Sequence, residues 1–296
     1  MALLKPTFFI IGAPKCGTTS LHNYLSTHSQ ITMSIPKEPH YFSTDIENGG
    51  IRNKQEYLSC FSHGDKKTKA VGESSTLYLF SKVAVENIYD YDKDSKFIVM
   101  VRNPIEIAQS FHQVALKVFG ETETNFQKAW LLEENRKAGE KIPKGCIDQQ
   151  LILYGDIAKI GQQIERVLSH ISPKNIHFIM YDEFKYSTKL EYTKVLKFLK
   201  LKKEVPISFP LYNKSQRIKN ETLTKLTNYA SSIKKKLDVR TRFNVASKIH
   251  KLNVTEKPLD KLPKNFLLKM DKFFGYDINL LSQIIKKDLS KWRVLQ

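Results

Sequence analysis

Cysteine is scarce: Cys16, Cys60 and Cys146 are the only three, odd in number and far apart. That excludes a disulfide framework and a cysteine-built zinc site, and it predicts a reduced, cytoplasmic protein. Long apolar runs are missing too. "TFFIIGA" and "KFIVMV" are strand-length, well short of the ~20 residues that span a bilayer. The first residues hold one lysine and then Pro6, with no long apolar region before a small-residue cleavage site. No signal peptide is expected. Negative charge is in short supply: 30 Asp and Glu stand against 48 Lys and Arg, a net charge of +18. Two readings follow. Either the protein meets an anionic partner, or lysine is simply abundant on solvated helix faces. No helix-turn-helix, aromatic stacking motif or zinc-finger spacing is present, so nucleic acid is not expected. The sequons at Asn213, Asn220 and Asn253 read as chance.

Apolar content of 41% and charged content of 26% are ordinary for a globular chain. "TFFIIGA", "KAVGESS", "SKFIVMV" and "NIHFIMYDEF" read as strands. Helical spacing separates them: Leu21, Tyr24 and Leu25 after the first strand, then Lys82–Tyr91, "IEIAQSFHQVALKVF", "IAKIGQQIERVLSHI" and "KLEYTKVLKFLKL". Such alternation predicts α/β architecture, a parallel sheet covered by helices on both faces. Beyond residue 205 the strands stop, and "ETLTKLTNYASSIKKKL" and "LPKNFLLKMDKFFGYDINLLSQII" read as helices. With no repeat and no low-complexity linker, one domain over 1–296 is expected: an α/β core over about 5–205 and a helical, basic portion over about 206–296.

The stretch "GAPKCGTT" follows the first strand and opens the first helix. Successive backbone N–H groups and a helix N-terminus make such a turn an anion site. Gly12 and Gly17 permit close backbone approach, while Thr18, Thr19 and Ser20 offer hydroxyls. Thr18 stands where the triphosphatase loop G-x-x-x-x-G-K-[ST] has lysine; Lys15 lies inside the loop instead. That placement puts an ammonium near the first phosphate and whatever it carries, which suits a donor with one phosphate and one transferable group. The alternatives are a turn without a ligand, a small-molecule kinase using Mg-ATP, and a non-catalytic polyanion binder.

"PKCGTT" resembles the 5′-phosphosulfate loop of the sulfotransferases that use 3′-phosphoadenosine 5′-phosphosulfate (PAPS) and release the 3′,5′-bisphosphate (PAP). The resemblance extends over nearly the whole chain. "VRNPIEIAQSF" supplies Arg102 and Ser110 at the family's spacing for the 3′-phosphate, "KEPHYF" is similar to the K/N-E-x-H-F-F segment of sugar sulfotransferases, and "GESSTLYL" to their G-E-x-[ST]-x-x-Y segment. Tyr181 lies where the family sets an aromatic beside adenine. "YNKSQRIKN" is similar to the basic closing loop but departs from its K-G-R form, which bears on Lys214, Ser215 and Arg217.

The resemblance implies a P-loop-like three-layer fold and sulfuryl transfer from PAPS to a hydroxyl or amine, expected to be that of a carbohydrate. Pro14, Lys15, Cys16, Gly17, Thr18, Thr19 and Ser20 would cradle the 5′ end. Glu38 is the expected base and His40 its rival, with Glu73 a third candidate near the same cleft. No Walker B aspartate stands out and no metal is expected. His22 and His28 read as packing or surface residues. Cys16 reads as a small loop residue, although a helix N-terminus lowers a thiol's pKa. Acceptor choice would fall to Gly120–Gln150 and the basic stretch Ser231–Arg242, whose residue types fit sugars, lipids or small alcohols alike, anionic ones included. The oligomeric state is left open.

Overall fold

The computed structural model describes residues 4–210, 217–218, 254–255 and 259–294. They fall into two compact units. The first comprises Met1–Ile107, Lys159–Tyr212 and Asp271–Gln296, and the second Ala108–Ala158 and Asn213–Met270.

The first unit is built on a five-stranded sheet of β1 (Phe8–Gly12), β2 (Ile31–Met33), β3 (Ala70–Ser74), β4 (Lys96–Val101) and β5 (Ile176–Met180). Their order is β2-β3-β1-β4-β5 and every pairing is parallel. β1, β2 and β3 are buried along their whole length, and β4 after its first residue. Continuous apolar runs, rather than alternation, mark strands covered on both faces. Helices α1 (Thr18–Ser26), α2 (Lys54–Ser59) and α3 (Ala84–Tyr91) connect the first four strands. Asn53 starts α2 by accepting the N–H groups of Gln55 and Glu56 at 2.9 and 3.0 Å, a side-chain N-cap. α4 (Pro104–Val114) opens on the proline expected at a first turn and ends in a π-helical turn, Ala115–Phe119.

The second unit adds α5 (Phe126–Leu131), α6 (Glu133–Lys137) and α7 (Tyr154–Ala158). The first unit resumes with α8 (Ile160–His170), α9 (Tyr181–Tyr186) and α10 (Thr188–Phe198). The strand predicted in "NIHFIMYDEF" therefore ends at Met180, where the chain turns into α9. A final long helix, α11 (Lys264–Ile285), carries Asp271 and Asp277 in its first-unit part. Asp277 accepts the N–H groups of Gly161 and Gln162 at 2.9 Å each, and so caps the start of α8. Asp271 takes a bidentate fork from Arg293 at 2.8 and 3.0 Å. Among the described residues no helix is long and apolar enough to cross a membrane.

Two features depart from the sequence reading. β2 has only three residues and gives no periodic signal. Strands also continue past residue 205: β6 (Arg217–Ile218) and β7 (Val254–Thr255) pair antiparallel, with Ile218 opposite Val254. A two-residue ladder is too short to produce alternation, although it sets β-branched residues against each other. The helix predicted over "ETLTKLTNYASSIKKKL" lies outside the described residues.

Candidate active site

In a sheet of order 2-3-1-4-5 the crossovers diverge around β1, and ligands of such folds bind beyond the carboxyl ends of the strands there. β1, β4 and β5 each release one expected residue at that edge: Lys15, Arg102 and Tyr181. The loop after β1 is held where Ala13 N–H donates to the Met100 carbonyl of β4 at 2.7 Å. Gly12 has φ +148, and a Cβ there would lie 2.8 Å from the Thr76 carbonyl. Gly17, at φ +87, is the residue from which α1 springs. A Cβ on it would lie in ordinary contact with the Tyr181 ring at 3.4 Å, so it is the left-handed turn that calls for glycine. Pro14, Cys16, Thr18 and Ser20 are buried, while Lys15 and Thr19 are half-buried.

Lys15 is left-handed at φ 65. Burial, then the Arg102 guanidinium, push its ammonium below the usual lysine range, and the Glu38 carboxylate only partly opposes them. Arg102 Nη1 donates to the Lys15 carbonyl at 3.0 Å, its Nε pairs with Glu106 at 2.6 Å, and its guanidinium lies 4.4 Å from the centre of the Tyr181 ring. The stacked arginine and the loop lysine thus share one charged patch. At Cys16 burial pushes the thiol up to about 12 despite the opposing Arg102 charge, which disfavours the nucleophilic thiolate.

Glu38 and His40 join the same patch. Glu38 contacts the Lys37 ammonium, accepts from the Thr76 hydroxyl at 3.4 Å, and lies 3.4 Å from His40 Nε2. Burial alone would raise its pKa; the hydrogen bond from His40 and the charge of Lys37 prevail and hold it at about 2. Glu38 has φ 61 and His40 φ 51, so three of the site's non-glycine residues occupy the left-handed region. Such residues cost on the order of 1–3 kcal/mol each and persist where surroundings over-determine them. His22 is buried, and its ring is held down to about 4 by burial and then by Lys37. His28 is likewise buried, its Nε2 3.0 Å from the Lys202 carbonyl.

The first unit therefore gathers the loop Pro14–Ser20 with Glu38, His40, Glu73, Arg102 and Tyr181. Ser110 belongs to the second unit, buried on α4. Lys214, Ser215 and the stretch Ser231–Arg242 lie outside the described residues, and of Arg217 only the backbone in β6 is described. Thr76 was not singled out from the sequence, yet it touches Glu38 as Lys37 does. Its signal was available, since it sits inside "GESSTLYL". Among the described residues no group of three His, Cys, Asp or Glu side chains could hold a metal ion.

The sheet order and the glycine-bracketed loop define a P-loop-like α/β nucleotide-binding fold. The sequence model of the sulfotransferase domain matches residues 5–281, and the chain belongs to that family. It is similar to membrane-associated sulfotransferase kil1 of Dictyostelium discoideum, 29% identical over 118 residues, 39% of this chain and 24% of that protein. Carbohydrate sulfotransferase 15 of Mus musculus is 27% identical over 143 residues, 34% of this chain and 26% of that protein. Bifunctional heparan sulfate N-deacetylase/N-sulfotransferase 1 of Caenorhabditis elegans is 22% identical over 295 residues, 97% of this chain and 30% of that protein. The chain thus spans between 24% and 30% of the length of these curated relatives. Its fold matches the crystal structure of a sulfotransferase from Alicyclobacillus acidocaldarius, with a TM-score of 0.70, 24% identity, and coverage of 98% of this chain and 99% of that one.

Proposed function

We propose that this sulfotransferase moves a sulfuryl group from PAPS to a hydroxyl or amine of a carbohydrate, with Glu38 as the base. One observation carries the reading. Beside the N-terminus of α1, Arg102 Nη1 donates to the Lys15 carbonyl at 3.0 Å, which sets two cations side by side where an anionic donor would meet them; burial, then the Arg102 charge, lowers the Lys15 pKa. The residues fit such a donor: glycine at position 17 gives the loop its left-handed turn into α1, and Thr18, Thr19 and Ser20 form the first turn of that helix.

In this reading the loop and Lys15 hold the 5′-phosphosulfate. By analogy with phosphoryl transfer, charge grows on the bridging oxygen as the phosphate leaves. Lys15 and the loop N–H groups meet that charge, and each such donor is worth about 3 kcal/mol. Arg102 reads the 3′-phosphate as a fork, and Tyr181 faces adenine. Glu38 is ionised throughout the neutral range and takes the acceptor's proton late in the transfer. His40 and Lys37 orient it, so the histidine serves the carboxylate rather than replacing it. The names of the carbohydrate and heparan relatives support a glycan acceptor.

Calorimetric titration with PAP, and separately with ATP and Mg²⁺, tests the donor. Micromolar-range PAP binding without a metal requirement, and little for ATP, is expected; tight Mg-ATP binding with indifference to PAP sinks the reading. A screen with labelled PAPS against glycans, phenols, amines and lipids tests the acceptor, and transfer to phenols alone would refute a carbohydrate.

A further inference from the structure

Glu73 is fully buried in β3 and none of the chemistry above uses it. Its Oε1 accepts from the Ser75 hydroxyl at 2.6 Å, its Oε2 accepts from the Tyr57 hydroxyl, and the Tyr78 hydroxyl is its third partner. Each hydroxyl owns a single proton. Ser75 Oγ also meets the His40 N–H at 3.0 Å, and Tyr78 OH meets the Phe42 N–H at 3.1 Å. A backbone N–H only donates, so at those two contacts the hydroxyl accepts and its own proton must go to Glu73. The direction of both relays is thereby fixed by the carboxylate. They end on alternate residues of the segment that carries Glu38 and His40, both left-handed. A third tie runs through Tyr57, whose ring stacks on Tyr41 of that segment at 4.3 Å and 9°.

We propose that Glu73 is a positioning residue: a buried carboxylate that acts through Ser75 and Tyr78 to hold the turn Glu38–Phe42 in its strained form, and so keeps Glu38 against Lys37 and His40. The inference rests on the proposed function only in taking Glu38 as the base. The geometry explains why the strain persists. Without the two relays the turn relaxes, the carboxylate leaves Lys37 and His40, and the base is lost although the loop at Lys15 is untouched.

The test follows the carbon-13 signal of the Glu38 carboxyl, assigned with Glu38→Gln, in the wild type, Ser75→Ala and Tyr78→Phe. These hydroxyl variants spare the buried carboxylate, so the result does not depend on Glu73→Gln folding. In the wild type the signal is expected to stay flat between about pH 4 and 8. In both variants its midpoint rises toward the ordinary carboxylate value of ~4.3. In transfer assays kcat falls about tenfold or more, as displacement of a reacting group by an ångström entails, while KM for PAPS stays within about twofold. A wild-type Glu38 titration and a wild-type kcat in both folded variants would overturn the proposal. A wild type that neither binds PAP nor transfers sulfuryl groups would defeat the proposed function instead, and the carboxyl titration would still decide the role of Glu73.

Discussion

Each of the two units buries a cluster of charge, and the clusters obey opposite rules. In the second unit, Glu121 and Arg136 are each 1% exposed. The Glu121 carboxylate is saturated: it takes Arg136 at 2.7 and 3.0 Å, the Tyr154 hydroxyl, and the backbone N–H groups of Thr122 and Glu123 at 2.7 and 2.8 Å. Burial would raise its pKa, but Arg136 and Tyr154 hold it below the usual range. In the first unit, Lys15 and Lys37 lie near Glu38, and Arg102, itself paired with Glu106, lies beside Lys15, on backbone that is left-handed at Lys15, Glu38 and His40. The comparison separates two uses of buried charge. A matched ion pair around a saturated carboxylate fixes a fold, whereas, on the function proposed, a cationic patch on strained backbone receives an anionic donor.

Variants that touch one cluster only should break the molecule in different ways. The largest effect is expected for Glu38→Gln, which loses the base: kcat falls about 10²- to 10⁴-fold, while thermal unfolding stays near that of the wild type. Lys15→Ala comes next, with a loss of about 10²- to 10³-fold in kcat. In the other cluster, Glu121→Gln strands the buried Arg136 and costs about 3–5 kcal/mol in denaturant unfolding, whereas PAP affinity per folded molecule is retained. If Glu121→Gln instead abolished PAP binding at full stability, the contrast between the clusters would be wrong.

The smallest effect sharpens the contrast through pH. Free Lys15 has a lowered pKa, and a bound phosphate favours its charged form. Binding therefore takes up a proton once the pH exceeds the free-state value, and PAP affinity falls as pH rises there, by at most about tenfold per pH unit. Lys15→Arg, whose guanidinium stays charged, should remove that alkaline decline. Calorimetry across the range checks both.

Legibility in the sequence followed locality. The loop Pro14–Ser20 and the turn at Arg102 each occupy one contiguous stretch, where glycine, lysine and hydroxyl residues announce an anion site before any tertiary contact forms. The α/β alternation was legible because β1 and β4 are unbroken apolar runs. What stayed hidden depends on residues far apart in the chain. Glu73, Ser75 and Tyr78 share the segment "GESSTLYL", but nothing in it says that Tyr57 is a further partner, or that the relays end on His40 and Phe42. Glu121 and Arg136 lay in the stretch Gly120–Gln150, whose lack of pattern concealed a buried ion pair. The rise of the Cys16 pKa was not legible because desolvation cannot be read from sequence.

The account stands on Lys15 and Arg102 gripping opposite ends of one nucleotide, and the direct test compares two ligands on one variant. Arg102→Ala should weaken PAP binding by about 1.5–3 kcal/mol, the worth of a charged hydrogen bond, and leave adenosine 5′-monophosphate binding almost unchanged. Equal losses for both ligands would show that Arg102 does not read the 3′-phosphate, and the assignment of the site would fall with it.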